Sequence, residues 1–233
     1  MLASFSTGQI IRIVISVVLV MFSAILHEVA HGWAAYRLGD PTAKEAGRLT
    51  LNPAAHLDGF GSIVLPLLMG LMGGPIFAYA KPVPYNPNRL RKPRRDEVLV
   101  ALAGPTANLL QALLGTALLY VFYHGYVGLV QSGVVISTDV IGWIVLILES
   151  YVYVNLVLMF FNLIPLPPLD GSKVIFLFLS GSARRTYYTI QRYAMPILLV
   201  CMYVLPYYFA VNPLGAYLNA TAGALYDLLI AVI

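Results

Sequence analysis

Residues 13–26 read IVISVVLVMFSAIL, a run without one charged side chain. Apolar windows near the length needed to cross a bilayer, about 20 residues, recur along the chain. They fall at about residues 9–36, 60–80, 98–123, 140–163, 194–211 and 214–233. The chain is 60% hydrophobic and 10% charged, whereas a soluble domain is about half apolar and a quarter charged. Soluble packing cannot absorb that excess, and a bilayer can. A β-barrel would need repeated segments of about ten residues alternating apolar and polar, and these runs are continuous. The expectation is an all-α polytopic membrane protein with about five to six membrane segments.

The segment at 60–80 is different. It contains GSIVLPLLMGLMGGPIFAYA, too rich in Gly and Pro for a straight helix, and reads as a broken or re-entrant element. Charge supports that topology. Arg37, Lys44 and Arg48 follow the first window, Lys81 to Arg95 hold a second basic cluster, and Lys173, Arg184, Arg185 and Arg192 a third. The loop at 125–138 is uncharged. If 60–80 returns to its own side, all basic loops share one face, which the positive-inside rule makes cytoplasmic. Juxtamembrane basic clusters are expected from topology alone, so no nucleic-acid partner is inferred. Only Arg12 precedes the first run and no small-residue cleavage site follows it, so that run reads as a retained span. One cysteine, Cys201, leaves no internal disulfide. No repeat or separately folding soluble stretch is visible, which suggests a single domain over 1–233, with a core at 9–175 and further membrane helices at 187–233.

The first apolar window ends in chemistry. Residues 25–33 are ILHEVAHGW. His27 and His31 are four apart, so on a helix both imidazoles share one face, about 40° apart. That spacing suits a pair of zinc ligands, and Glu28 projects beside them, placed to take a proton from a water activated at the metal. The plain alternative is a polar helix end at the interface. Burying a His-Glu-His trio in lipid without purpose costs on the order of 2–3 kcal/mol per charge, which weighs against it. Catalytic zinc needs a third protein ligand. Glu45, Glu97 and Glu149 sit in no polar helical motif, so the better candidate is Asp170 in FNLIPLPPLDG, residues 161–171. There Pro165, Pro167 and Pro168 stop a helix, and broken backbone can line a cavity at membrane depth.

HEVAH together with Asn162-x-x-Pro165 and Asp170-Gly171 resembles the site-2 protease family of intramembrane zinc metalloproteases. LNPAAHLDGFGSIVLP (51–66), AKPVPYNP (80–87) and AGPTANLL (103–110) look like the same family. The likeness covers most of residues 20–175 and is to the short members without a PDZ or nucleotide-sensing domain. It implies one zinc ion per chain held by His27, His31 and Asp170, with Glu28 as catalytic base. It also implies hydrolysis of peptide bonds in or near transmembrane segments of membrane-protein substrates, with lipid bilayer as the other partner. The implied location is the cytoplasmic membrane of a prokaryote, with the site opening towards the cytoplasm. Asn108 and Asn162 are candidates for lining the cavity or binding substrate backbone, against a plain helix–helix hydrogen bond. His56 is a candidate near the cavity, against an interfacial histidine. Gly104-Pro105 reads as a start or kink of the third helix. A metal or proton transporter and a non-catalytic relative are the competing functions. The transporter would usually show repeated halves, and the non-catalytic relative would lose one of the motif residues, all of which are present.

Overall fold

The computed structural model describes residues 6–64, 67–69 and 81–233. Among them every regular element is helical: α1 (Thr7–Arg37), α2 (Thr42–Glu45), α3 (Pro93–Gln131), α4 (Thr138–Asn162), α5 (Asp170–Phe176), α6 (Ser182–Leu199), α7 (Leu205–Phe209), α8 (Pro213–Leu218) and α9 (Ala224–Ile230). The all-α expectation holds, with wider bounds than the apolar windows suggest. α3 begins at Pro93 and ends at Gln131, beyond 98–123 at both ends; at its start proline costs no hydrogen bond and Asp96 accepts the Lys92 N–H at 2.8 Å. α1 starts from a capping box in which Ser6 and Gln9 satisfy each other's backbone N–H.

The expected count of five to six membrane segments is not reached among the described residues. Among the described residues α1, α3 and α4 are long and apolar enough to cross a membrane. A fourth forms if Arg185–Ala194 and Pro196–Phe209, bent by 58°, act as one span. Pro196 lies at that bend, where proline removes a ladder bond and crowds the preceding turn. The tail is broken by a π-helical turn at Asn219–Gly223. Of the segment at 60–80, Gly59–Val64 forms a π-helical turn, while 65–66 and 70–80 lie outside the described residues.

α1, α3 and α4 pack on one another. Small residues let α3 and α4 approach: Ala112 is fully buried beside Val152 and Leu156 of α4, and Ala222 of the tail closes the same cluster. Outward faces stay apolar, with Val18 59%, Leu110 61% and Val121 68% exposed. Apolar surface on that scale matches lipid and not water. After α1 the chain runs through α2 and returns as an extended strap, Lys81 to Asn86, laid across α1. Ala35, Leu90 and Val100 form the small core beneath it.

Candidate metal centre

His27 and His31 lie in the buried stripe of α1. Their Nε2 atoms are 3.0 Å apart, and Asp170 Oδ2 is 3.2 Å from each. All three residues are buried, at 6%, 8% and 7% exposure. Among the described residues they are the His, Cys, Asp and Glu side chains whose ligating atoms converge as a metal would require.

Asp170 reaches the histidines because α4 stops at Asn162 and the prolines after it fold the chain back. Asp170 then opens α5. A Cβ on Gly171 would collide with the carbonyl oxygens of Leu163 and Ile164, so this return is tight enough to require glycine. Ser172 Oγ donates to the Leu169 carbonyl at 2.6 Å, and Tyr187 of α6 donates to Ser172 Oγ at 3.2 Å. The loop is thereby held from both sides.

α3 supplies the opposite wall through positions 100, 104 and 108, one helical stripe. His31 Nδ1 is 2.7 Å from the Val100 carbonyl oxygen. That oxygen can only accept, so Nδ1 carries the proton and Nε2 keeps its lone pair. His27 Nδ1 is 2.6 Å from Asn108 Oδ1, with the same consequence. Between them, a Cβ on Gly104 would lie 2.5 Å from His27 Cε1, His27 Nε2 and His31 Nε2. The helix starts eleven residues earlier, at Pro93, so Gly104 is neither its start nor a simple kink. It is the gap that admits both imidazoles.

This arrangement fits a zinc ion. Two Nε2 lone pairs and a carboxylate oxygen converge, and Asp170 Oδ2 is buried with no hydrogen-bond partner. Three electron-rich atoms at such separations repel unless a cation lies among them. Two imidazole nitrogens and one carboxylate oxygen are a zinc donor set, and an edge between tetrahedral ligands at about 2.0–2.1 Å would be about 3.3 Å.

Glu28, half-buried, accepts the Val83 N–H at 2.8 Å through Oε2. The strap is tied down along its length. The Lys81 N–H donates to the His56 carbonyl at 2.8 Å, Arg48 donates to the Lys81 carbonyl at 2.6 Å, and the Asn86 N–H donates to Asp40. Pro82 and Pro84 have no N–H. Of the six strap residues, Tyr85 alone has an N–H outside these bonds and prolines. Lys173 of α5 sits over the Tyr85 ring at 4.9 Å.

The other candidates separate. Asn108 is fully buried and bonded to His27. Asn162 is half-buried and donates to the Leu158 carbonyl of its own helix at 3.0 Å. His56 is fully buried, and its Nε2 donates to the Thr50 carbonyl at 2.8 Å; it is outside the convergent group. The Val100 carbonyl, Asn155 and Ser23 have no place in the reading of the sequence, and Gly104 enters it only as a helix start or kink. A backbone carbonyl and a missing Cβ leave no chemical signature in a sequence. Asn155 does leave one, being an amide inside an apolar helix two turns before Asn162.

Fold and site together define an all-α membrane protein with a two-histidine, one-aspartate centre among its helices. The family model of peptidase family M50 matches residues 15–205. The chain is 39% identical over 201 residues to "Putative zinc metalloprotease YwhC" of Bacillus subtilis, covering 86% of this chain and 82% of that one. Two mycobacterial proteins named Rip2 carry the same description. That of Mycobacterium tuberculosis is 29% identical over 180 residues, covering 77% of this chain and 63% of its own, and that of Mycolicibacterium smegmatis is 26% identical over 182 residues, covering 78% and 64%. The chain thus spans less than two thirds of the Rip2 proteins. No solved structure matches it significantly. The chain belongs to peptidase family M50, the site-2 protease family.

Proposed function

We propose that the chain is a zinc-dependent endopeptidase acting within the membrane. It holds one zinc ion with His27, His31 and Asp170 and cuts other membrane proteins in or beside their transmembrane segments, the reaction of regulated intramembrane proteolysis. The observation that carries this reading is the convergence of three buried ligand atoms within 3.2 Å of one another in an M50 chain. A zinc ion with three protein ligands lowers the pKa of a water molecule and polarises a carbonyl oxygen. Glu28 is the general base: Oε2 is steadied by the Val83 N–H, leaving Oε1 to take a proton from the attacking water and pass it to the departing amine nitrogen. The whole chain, 1–233, serves this one reaction as a single domain in a prokaryotic cell membrane, with the site open to the cytoplasmic side next to the basic loops.

A substrate helix hides its carbonyls in i→i−4 bonds and must unwind before cleavage. A half-open apolar groove of about 420 Å³ runs along the outer side of α1 past Val14, Val18, Phe22 and Ile25 to Leu26, the residue before the first histidine in sequence. It has the chemistry to receive the flank of such a helix.

The test compares wild type with Glu28→Gln in vesicles carrying candidate membrane proteins, reading cleavage by proteomics and metal by elemental analysis. Glu28→Gln is expected to keep its zinc and lose cleavage, with uncut substrates accumulating. Full cleavage by Glu28→Gln would overturn the role of Glu28, and a zinc-free wild type would overturn the reading as a whole.

A further inference from the structure

Three buried polar side chains behind the metal centre join α1, α3 and α4 into a ring. Asn155 of α4 places its amide nitrogen 2.9 Å from the Tyr151 carbonyl oxygen and 3.0 Å from Ser23 Oγ of α1. Its Oδ1 accepts from Asn108 Nδ2 of α3 at 2.9 Å. Asn108 Oδ1 meets His27 Nδ1 at 2.6 Å, and His27 is one turn after Ser23 on α1. Ser23, Asn108 and Asn155 are all fully buried.

An amide has two ends of similar shape, and its orientation follows from its partners. Only one partner in this ring has no choice. The Tyr151 carbonyl oxygen can only accept, so the end of Asn155 that faces it is the NH₂. Asn155 therefore presents Oδ1 to Asn108, and Asn108 must answer with its own NH₂. That leaves Asn108 Oδ1 facing His27, so His27 must donate from Nδ1 and keep its lone pair on Nε2. Were Asn108 reversed, its NH₂ would face Nδ1. The lone pair would then sit on Nδ1, and Nε2 would carry a proton into the metal centre.

We infer that Asn155 is a positioning residue for the metal centre: through Asn108 it fixes the tautomer of His27, so that Nε2 is free to bind a cation. This rests on the zinc reading above and extends it to residues that touch neither metal nor substrate. His31 needs no such relay, because its Nδ1 faces a backbone carbonyl directly. The two ligands are thus set in different ways, one by main chain and one by a chain of amides that exists only when three helices are docked. Outer partners of metal-bound histidines act in this manner and their loss costs about 10–100-fold in metal affinity.

The test is zinc affinity by chelator competition on the full chain in detergent micelles, with ¹⁵N chemical shifts of His27 in the metal-free protein as a second readout. Asn155→Leu removes the group that orients Asn108. It is expected to weaken zinc binding about 10–100-fold and to give His27 a mixture of tautomers. The decisive variant is Asn155→Leu combined with Asn108→Asp. A carboxylate has no wrong face, so this pair is expected to recover most of the lost affinity and the Nδ1–H tautomer. Wild-type affinity in Asn155→Leu, or no recovery in the double variant, would overturn the inference while leaving the zinc reading intact. Failure of the wild type to bind zinc would overturn both.

Discussion

Among single residues, Gly104 is where the centre is most sensitive to one added atom. A methyl there would lie 2.5 Å from ring atoms of both histidines, well inside the 3.5–4.0 Å at which carbon contacts become favourable. The rings belong to α1 and the glycine to α3, so relief would need the helices to part. Gly104→Ala is expected to lower zinc affinity at least as much as loss of an outer partner, about 10–100-fold. Zinc content after dialysis against chelator checks this, and full retention would mean that the helices separate easily. Pro105 beside it withholds one backbone N–H from the helix, but the contact with the histidines belongs to Gly104 alone.

Among elements, the strap at residues 81–86 joins the site to the loops outside it. Its far end hangs on Asp40, which is fully buried and accepts from the Thr42 N–H at 3.0 Å, the Thr42 hydroxyl and the Asn86 N–H. Burial alone would raise the Asp40 carboxyl, but those donors and the Arg89 charge prevail and hold it below the usual range. A depressed carboxyl stabilises fully above its unfolded value, about 3.9, and the contribution is lost as pH falls through the folded value. The strap is therefore expected to stay docked through mildly acidic pH and to loosen only in stronger acid. Asp40→Ala leaves buried donors unpaired at a cost of about 1–3 kcal/mol. Amide exchange at Val83 and Asn86 should then rise by about one to two orders of magnitude. Because Val83 steadies Glu28, activity should fall alongside. Unchanged exchange at Val83 would show that the strap is held by other contacts.

For the whole molecule, the question is what gathers helices in lipid. Lipid tails are as apolar as leucine, so helix association relies on packing and buried polar contacts rather than on release from water. Leu156 shows the packing part: it is fully buried against Ala112, Val152 and Ala222, where α3, α4 and the tail meet. Leu156→Ala leaves a cavity without the full transfer penalty, so a cost near the low end of the usual range, about 2 kcal/mol, is expected. Unfolding in detergent would measure it, and a loss below a few tenths would show that the tail does not depend on this cluster. The amide ring is the polar part, and it ties assembly to chemistry.

Periodicity and motif made much of this legible beforehand. Uncharged runs of membrane length require helices because lipid offers the backbone no partner. His27 and His31 share a face by helix geometry alone, and the prolines before Asp170 announce a break. Residue identity therefore determined the class and the family, and by likeness named the three residues proposed as ligands. Tertiary structure decided what holds those ligands in register. Val100 contributes only a carbonyl, Gly104 only an absence, and Asn155 acts on His27 through a residue on another helix. None of these roles is local in sequence: Asn155 lies 47 residues from Asn108, and Asn108 lies 81 from His27. They arise only when three helices pack closely enough for one backbone oxygen to set the orientation of everything after it.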